Sequence, residues 1–253
     1  MDNLIRHPLI VSALSLFLLW LSARIGLFVR KRQRKEETDV HQDLDIIVSA
    51  TLTLLGLIIG FSFSMAISRY DQRKNYEEAE ANAIGTEYLR ADLLPSADRS
   101  NARALLRNYL DQRILFYETR DDNALSQIDA TTAQLQTELW SAVRTPAGAQ
   151  PTPVLALAVS GMNDVLNSQG YTQAAWWNRI PPGAWFLMAA VAICSNVLIG
   201  YDSRRARAIR LLVLPLILCS AFYAIADIDS PRRGAIRVHP QNLISLAQSL
   251  RWP

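Results

Sequence analysis

The sequence is poor in the residues that build metal centres, disulfide frameworks and nucleophilic active sites. It holds two cysteines and three scattered histidines in 253 residues. Cys194 and Cys219 both lie inside long apolar blocks, so a disulfide framework outside those blocks is excluded. We find no zinc-ligand spacing, no glycine-rich phosphate loop and no nucleophile elbow. The sequence therefore predicts neither an enzyme nor a bound metal or cofactor.

Proline is missing from a long stretch near the N-terminus. No proline separates Pro8 from Pro95, and proline breaks or kinks the helices that contain it. Within this stretch an apolar run, 46–67, passes directly into a charged pattern with helical spacing. We therefore predict one unbroken helix over 44–94, with its apolar half in a bilayer and its charged half in water.

Four apolar blocks are each long enough to cross a membrane. They are residues 8–29, 46–67, 184–200 and 211–228. A hydrocarbon core of about 30 Å needs about 20 apolar residues in a helix. Core helices of a large soluble protein are the alternative, but these blocks are almost free of charge and flanked by basic clusters, as membrane helices are. The predicted location is the bacterial inner membrane, with four spans in the lipid bilayer.

Basic residues predict the orientation of the spans. Two short loops, 30–35 and 204–210, are rich in arginine and lysine, and short basic loops stay in the cytoplasm. Both termini and the segment 69–182 would then lie outside the cytoplasm, although the basic C-terminal tail argues the other way. Segment 69–182 carries 11 basic and 14 acidic residues. Because it has no basic stripe, a nucleic-acid partner is not expected.

We predict an all-α fold in which an extramembrane helical bundle is inserted between the second and third spans. The predicted division is 1–68 for the first two membrane helices, 69–182 for the bundle, 183–229 for the last two membrane helices and 230–253 for a tail with a short helix. Helical spacing in the bundle predicts segments of about 69–94, 96–119, 124–143 and 154–168. The run RTPAGAQPTP, before the last of these, is predicted to be a loop by its composition.

Three tryptophans precede or open the third block. Trp176, Trp177 and Trp185 are predicted to mark re-entry into the bilayer, because indole rings favour the headgroup region. The alternative is that these rings belong to the core of the bundle.

Small and polar residues form a stripe along the second block, within a sector about 120° wide at about 100° per residue. The stripe consists of Ser49, Thr53, Gly56, Gly60, Ser64 and Ser68. Small residues let membrane helices pack closely, and polar residues are tolerated where they line a water-filled path. Both interpretations hold together if several copies pack around one axis.

Two aromatic residues flank this stripe, Phe61 and Phe63, with Phe63 at its edge. A ring that faces an oligomer axis would form a hydrophobic constriction, which gates by excluding water. The alternative is a ring that faces lipid or packs against another helix.

Arg69 and Arg73 follow the second block. They are four residues apart, so they share one face of the predicted helix. They lie either on a solvated face or in a cationic vestibule that concentrates anions.

Two carboxylates, Asp227 and Asp229, end the fourth block. Carboxylates near hydrocarbon are costly unless they are paired, and Arg232 and Arg233 follow closely in the sequence. Arg69 and Arg73, on the same predicted side of the membrane, are the other candidate partners. We predict an ion-pair network, with an ion site or a gate latch as the alternative.

Three segments carry a resemblance to one known family. They are GFSFSMAISRYDQR, EANAIGTEYLRADLLP and IADIDSPRRGAIRV. Together they resemble the bacterial bestrophin-like proteins, a group described as a domain of unknown function, over about 54–250. The resemblance implies a helical membrane protein with four spans and a helical domain between the second and third.

The resemblance also implies a function. Bestrophins are pentameric anion channels whose second span lines a neck with apolar and aromatic residues, which would place Gly60, Phe61, Phe63 and Ser64 near a constriction. The implied partners are further copies of this chain and small anions. An acidic run like the bestrophin calcium clasp does not align here. Bestrophins also keep the large domain and both termini in the cytosol, opposite to the orientation that the basic loops predict.

Two hypotheses follow for the function. The first is an oligomeric channel, with the second span around its axis and anions as its cargo. The second is a sensor or scaffold, in which the bundle binds a ligand or a protein and the spans only anchor it.

Overall fold

A computed structural model describes residues 7–32, 40–202 and 210–251. These residues are almost entirely helical and include four long apolar helices, as predicted for an all-α membrane protein. The orientation of the spans was predicted largely from basic loop residues. Several of them lie outside the described residues, among them Arg34, Lys35, Arg204 and Arg205.

The part of the chain that is described forms eight α-helices. They are α1 (Pro8–Arg32), α2 (Val40–Arg90), α3 (Ser96–Glu118), α4 (Asp122–Ala149), α5 (Pro153–Trp177), α6 (Pro182–Asp202), α7 (Arg210–Asp229) and α8 (Gln241–Arg251). Stretches long and apolar enough to cross a membrane occur in α1, in α2, within Pro153–Tyr201, which includes α6, and in α7.

The prediction of one unbroken helix is confirmed by α2, which runs for 51 residues. A short 3₁₀ turn, Ala91–Leu93, follows it, and Leu94 is extended with φ −79° and ψ 156°. A residue before proline avoids helical geometry, so Pro95 accounts for this end. At 1.5 Å per residue, α2 is about 75 Å long.

Contacts divide the chain into two compact units. The first, called here the span unit, is Met1–Arg69 with Arg179–Arg237; the second, the bundle unit, is Tyr70–Asn178 with Val238–Pro253. Helix α2 contributes residues to both units, and α8 is grouped with the helices of the bundle unit.

In the span unit, α1 packs against α6 and α7. The contact with α6 is close enough to require glycine at two positions. A methyl group at Gly26 would collide with the backbone of Val197, and one at Gly200 would collide with the backbone of Ala23. Small residues bring membrane helices together in this way because dispersion contacts drive their association.

In the bundle unit, two helices are longer than the sequence predicted. Helix α4 continues through Pro146 to Ala149, so the predicted loop is largely helical. Proline in a helix interior costs about 3 kcal/mol, and here the ring is buried with Val143 in the core. Helix α5 passes through Gly170 and ends at Trp177.

Aromatic packing explains the longer α5. Trp176 is buried against Phe116 and Tyr117, with ring centroids 5.0 and 5.4 Å away. The core interpretation is therefore correct for Trp176, and its predicted role in membrane re-entry is wrong. Trp177, next in sequence, is exposed.

A buried ion pair joins three helices of the bundle unit. Arg113 on α3 donates from Nε to Oε1 of Glu80 on α2, and both side chains are fully buried. Tyr117 and Thr172 donate their hydroxyls to Oε2 of Glu80, at 3.3 and 3.2 Å. Burial alone would lower the pKa of Arg113, but the charge of Glu80 and the neighbouring Tyr109 raise that pKa above its ordinary value. Arg113 is therefore a cation in the core.

Replacing Glu80 with Gln removes one charge of this pair and leaves Arg113 buried without compensation. We expect the free energy of unfolding to fall by about 3–5 kcal/mol, the usual cost of breaking a buried pair. Chemical denaturation of the purified protein in detergent measures it. Glu78→Gln, an exposed site on the same helix, should change stability by less than about 0.5 kcal/mol. Equal losses in the two variants would contradict the assignment.

Candidate functional site

The stripe along α2 is exposed throughout. Its six residues, Ser49, Thr53, Gly56, Gly60, Ser64 and Ser68, are all accessible in the isolated chain. A methyl group added at Gly56 or Gly60 would find no atom within 4 Å. The Thr53 hydroxyl donates to the carbonyl of Ser49 at 2.8 Å, so its polarity is satisfied within the helix.

The opposite face of α2 makes the contacts of the span unit. Leu55, Ser62 and Ala66 are 1%, 5% and 0% exposed. They lie roughly 160° around the helix from the centre of the stripe, at about 100° per residue. Helix α2 therefore turns its small and polar face away from its own chain.

Both candidate aromatic residues lie on the exposed side of the helix. Phe61 is 66% exposed and Phe63 is 39% exposed. Their rings are thus available to lipid or to another copy of the chain.

The two arginines beyond the span differ in their surroundings. Arg69 is half-buried, and its Nη2 lies 3.5 Å from Sδ of Met65. Arg73 is 1% exposed and donates from Nε to the carbonyl of Ala175, at 3.3 Å. Because it is buried, Arg73 lies neither on a solvated face nor in a vestibule, the two positions predicted from the sequence. It joins α2 to α5 instead.

The Asp227 carboxylate holds the chain reversal after α7. Its two oxygens accept the backbone N–H groups of Ala235 and Ile236, at 2.7 and 2.8 Å. The turn needs glycine at position 234, because a methyl group there would collide with the carbonyl of Asp227. The sequence predicted arginine partners for this carboxylate, whereas backbone amides bind it, which the spacing alone did not indicate.

Asp229 serves a second loop at the same end of α7. It is 2% exposed and accepts the N–H of Ile180, at 3.1 Å, just before α6 begins. Arg232 is half-buried, and the exposed Arg233 contacts His7. The pair Asp227 and Asp229 thus fastens two loops to the end of the fourth apolar helix.

Sequence reasoning missed a buried charged seam on α2. The seam consists of Arg73, Glu77, Glu80 and Glu87, all 1% exposed or less. The apolar residues of this segment did not indicate it, because charged residues usually lie in water. A signal was present: with the buried Ile84, these residues recur at spacings of four and three, the period of a helix face.

Glu77 shows what one member of this seam does. It accepts the backbone N–H groups of Asn242 and Leu243, at 2.9 and 3.0 Å, and the side-chain amide of Asn242 at 2.6 Å. These groups begin α8, and a carboxylate is stabilised at a helix N-terminus by the helix dipole. Glu77 therefore fixes the C-terminal helix to α2.

Within the described ranges, no group of three or more histidine, cysteine, aspartate or glutamate residues could hold a metal ion. The features that remain as a functional site are the exposed face of α2 and the loops at the end of α7.

Comparison with protein families identifies one family. The sequence profile of the Bestrophin-like domain matches residues 9–243. No curated protein matches the chain. Among solved structures, a bacterial Bestrophin homolog from Klebsiella pneumoniae is similar with a TM-score of 0.67 at 12% identity, over 94% of this chain and 96% of that one. A single-residue variant of that homolog gives a TM-score of 0.65 at 12% identity, over 94% and 93%. At this identity the structures show a shared fold.

Proposed function

Because the chain belongs to the Bestrophin-like family, we propose that it forms an oligomeric membrane channel for small anions, with α2 lining the pore. The observation that carries this proposal is the direction of the stripe. A face of small and polar residues, on a helix apolar enough to cross a bilayer, points away from its own chain. Lipid offers such a face no polar partner, whereas copies packed around an axis bring it to water and let the helices approach closely.

In this arrangement the apolar helices cross the bacterial inner membrane. Residues 69–182 form a helical bundle outside the hydrocarbon, inserted between the second and third spans. The basic loops 30–35 and 204–210 favour a bundle outside the cytoplasm. The resemblance to bestrophins implies five copies around the axis.

The two phenylalanines form the narrow part of the proposed path. Phe63 lies at one edge of the stripe and Phe61 lies at the other, at about 100° per residue. Rings from several copies, brought together at one level, would make a constriction that excludes water when closed. Beyond it, Arg69 at the end of the span supplies positive charge, which attracts anions and repels cations.

Purified protein in liposomes should pass chloride. The measurement is chloride efflux down a concentration gradient, with empty vesicles and vesicles holding heat-denatured protein as controls. We expect efflux well above both controls, because a pore of several α2 helices replaces the hydrocarbon barrier. Repeated preparations that never exceed empty vesicles would contradict the channel.

Replacing Phe63 with Ala should widen the constriction and raise the conductance in planar bilayers, with weaker selectivity among anions of different size. The reason is that the smaller side chain leaves room for water at the narrowest level. Phe186→Ala is the matched control, since Phe186 is an exposed phenylalanine on α6. Conductance and selectivity that match the wild type in the Phe63 variant would remove this residue as a gate.

A further inference from the structure

Glu87 differs from the other carboxylates of the charged seam. Its side chain is 1% exposed, and neither carboxylate oxygen has a hydrogen-bond partner among the described residues. Glu77 and Glu80 are buried to the same degree, yet both accept several hydrogen bonds. A buried charge without donors is strongly unfavourable, and such a group gains more from being neutral.

A glycine on the neighbouring helix makes room for this side chain. A methyl group at Gly161 of α5 would collide with Oε2 of Glu87 and with Nη1 of Arg90. The two side chains of α2 therefore lie directly over the backbone of α5. Any larger residue at 161 would push the carboxyl away from this contact.

Two charged groups act on the Glu87 carboxyl at this contact. Burial is the largest influence and raises the pKa of Glu87 from 4.5 to about 8; Arg90, on the same helix, lowers that pKa, and Asp164 of α5 raises it. Asp164 is exposed, so salt screens its influence. Glu87 lies 20 residues past the apolar part of α2, or about 30 Å along the helix, so this site is outside the membrane-spanning segment.

We propose that the Glu87 carboxyl, packed over Gly161, is a proton-binding site that makes the packing of α2 against α5 depend on pH. Near neutral pH the carboxyl carries its proton and lies in the core as a neutral group. At higher pH the proton leaves for solvent, and a carboxylate without donors remains beside the backbone of α5. By that pH the bundle unit has lost the stability that the protonated carboxyl contributed to this contact between α2 and α5. This site does not depend on whether the protein conducts ions.

The sign of the pH dependence follows from linkage. Below pH 4.5 the folded and the unfolded chain both bind the proton at Glu87. Between pH 4.5 and about 8 the folded chain keeps this proton and the unfolded chain has lost it, so stability falls as the pH rises. Above about pH 8 both have lost it, and the contribution of Glu87 becomes constant.

The test compares the wild type with Glu87→Gln, which imitates the protonated carboxyl at every pH. The difference in Tm, variant minus wild type, should increase from pH 4.5 and level off above about pH 8. Glu78→Gln, an exposed site on the same helix, should give a difference that does not change with pH. A difference for Glu87→Gln that is equally flat would overturn the proposal.

A direct titration keeps the proposal testable if Glu87→Gln fails to fold. Infrared spectroscopy of the wild type should show the carbonyl stretch of a protonated carboxylic acid near neutral pH, which disappears as the pH passes about 8. At low ionic strength, where the exposed Asp164 is least screened, Asp164→Asn should move this midpoint to lower pH, because it removes a charge that raises the pKa. A wild type without this band near neutral pH would overturn the proposal, as would a midpoint that does not respond to the Asp164 variant.

Discussion

The continuity of α2 is the constraint on which the rest of this structure depends. One helix carries an apolar half that is long enough to cross a membrane and a charged half that belongs to the bundle unit, without a break between Val40 and Arg90. Its buried residues recur at helical spacing from Leu55 to Glu87. Within the span unit, the burial of Leu55, Ser62 and Ala66 fixes which face of the helix carries the exposed stripe.

The charged seam shows three ways to accommodate a buried carboxylate. Glu77 binds the first amides of a helix, and Glu80 binds a guanidinium and two hydroxyls. Glu87 has none of these donors, and the folded chain accommodates it as a neutral group. Buried ion pairs contribute little net stability compared with apolar packing. Their geometry is directional, however, and we infer that the seam sets the rotation and register of α2 against α3 and α5.

The spans and the continuity of α2 could be predicted because both rest on local signals, hydropathy and the absence of proline. The charged seam could not be predicted, because charged residues are normally expected in water. Arg113, the partner that allows Glu80 to be buried, lies 33 residues away in the sequence. The helix through Pro146 was also missed, and a core position for Trp176 was only the alternative, since packing in the core outweighed local preference. The stripe could be identified from the spacing of Gly56, Gly60 and Ser64. The surface that packs against it could not be predicted, because the stripe points away from its own chain.

In the proposed channel, the stripe of α2 meets copies of itself around an axis. Single cysteines at Ser64, in the stripe, and at Met65, about 100° around the helix, test it in a background where Cys194 and Cys219 are replaced by serine. A short thiol-reactive crosslinker is applied to membranes that contain each variant. We expect linked subunits for Ser64→Cys and monomers for Met65→Cys. Monomers for Ser64→Cys, or linking only through position 65, would contradict it.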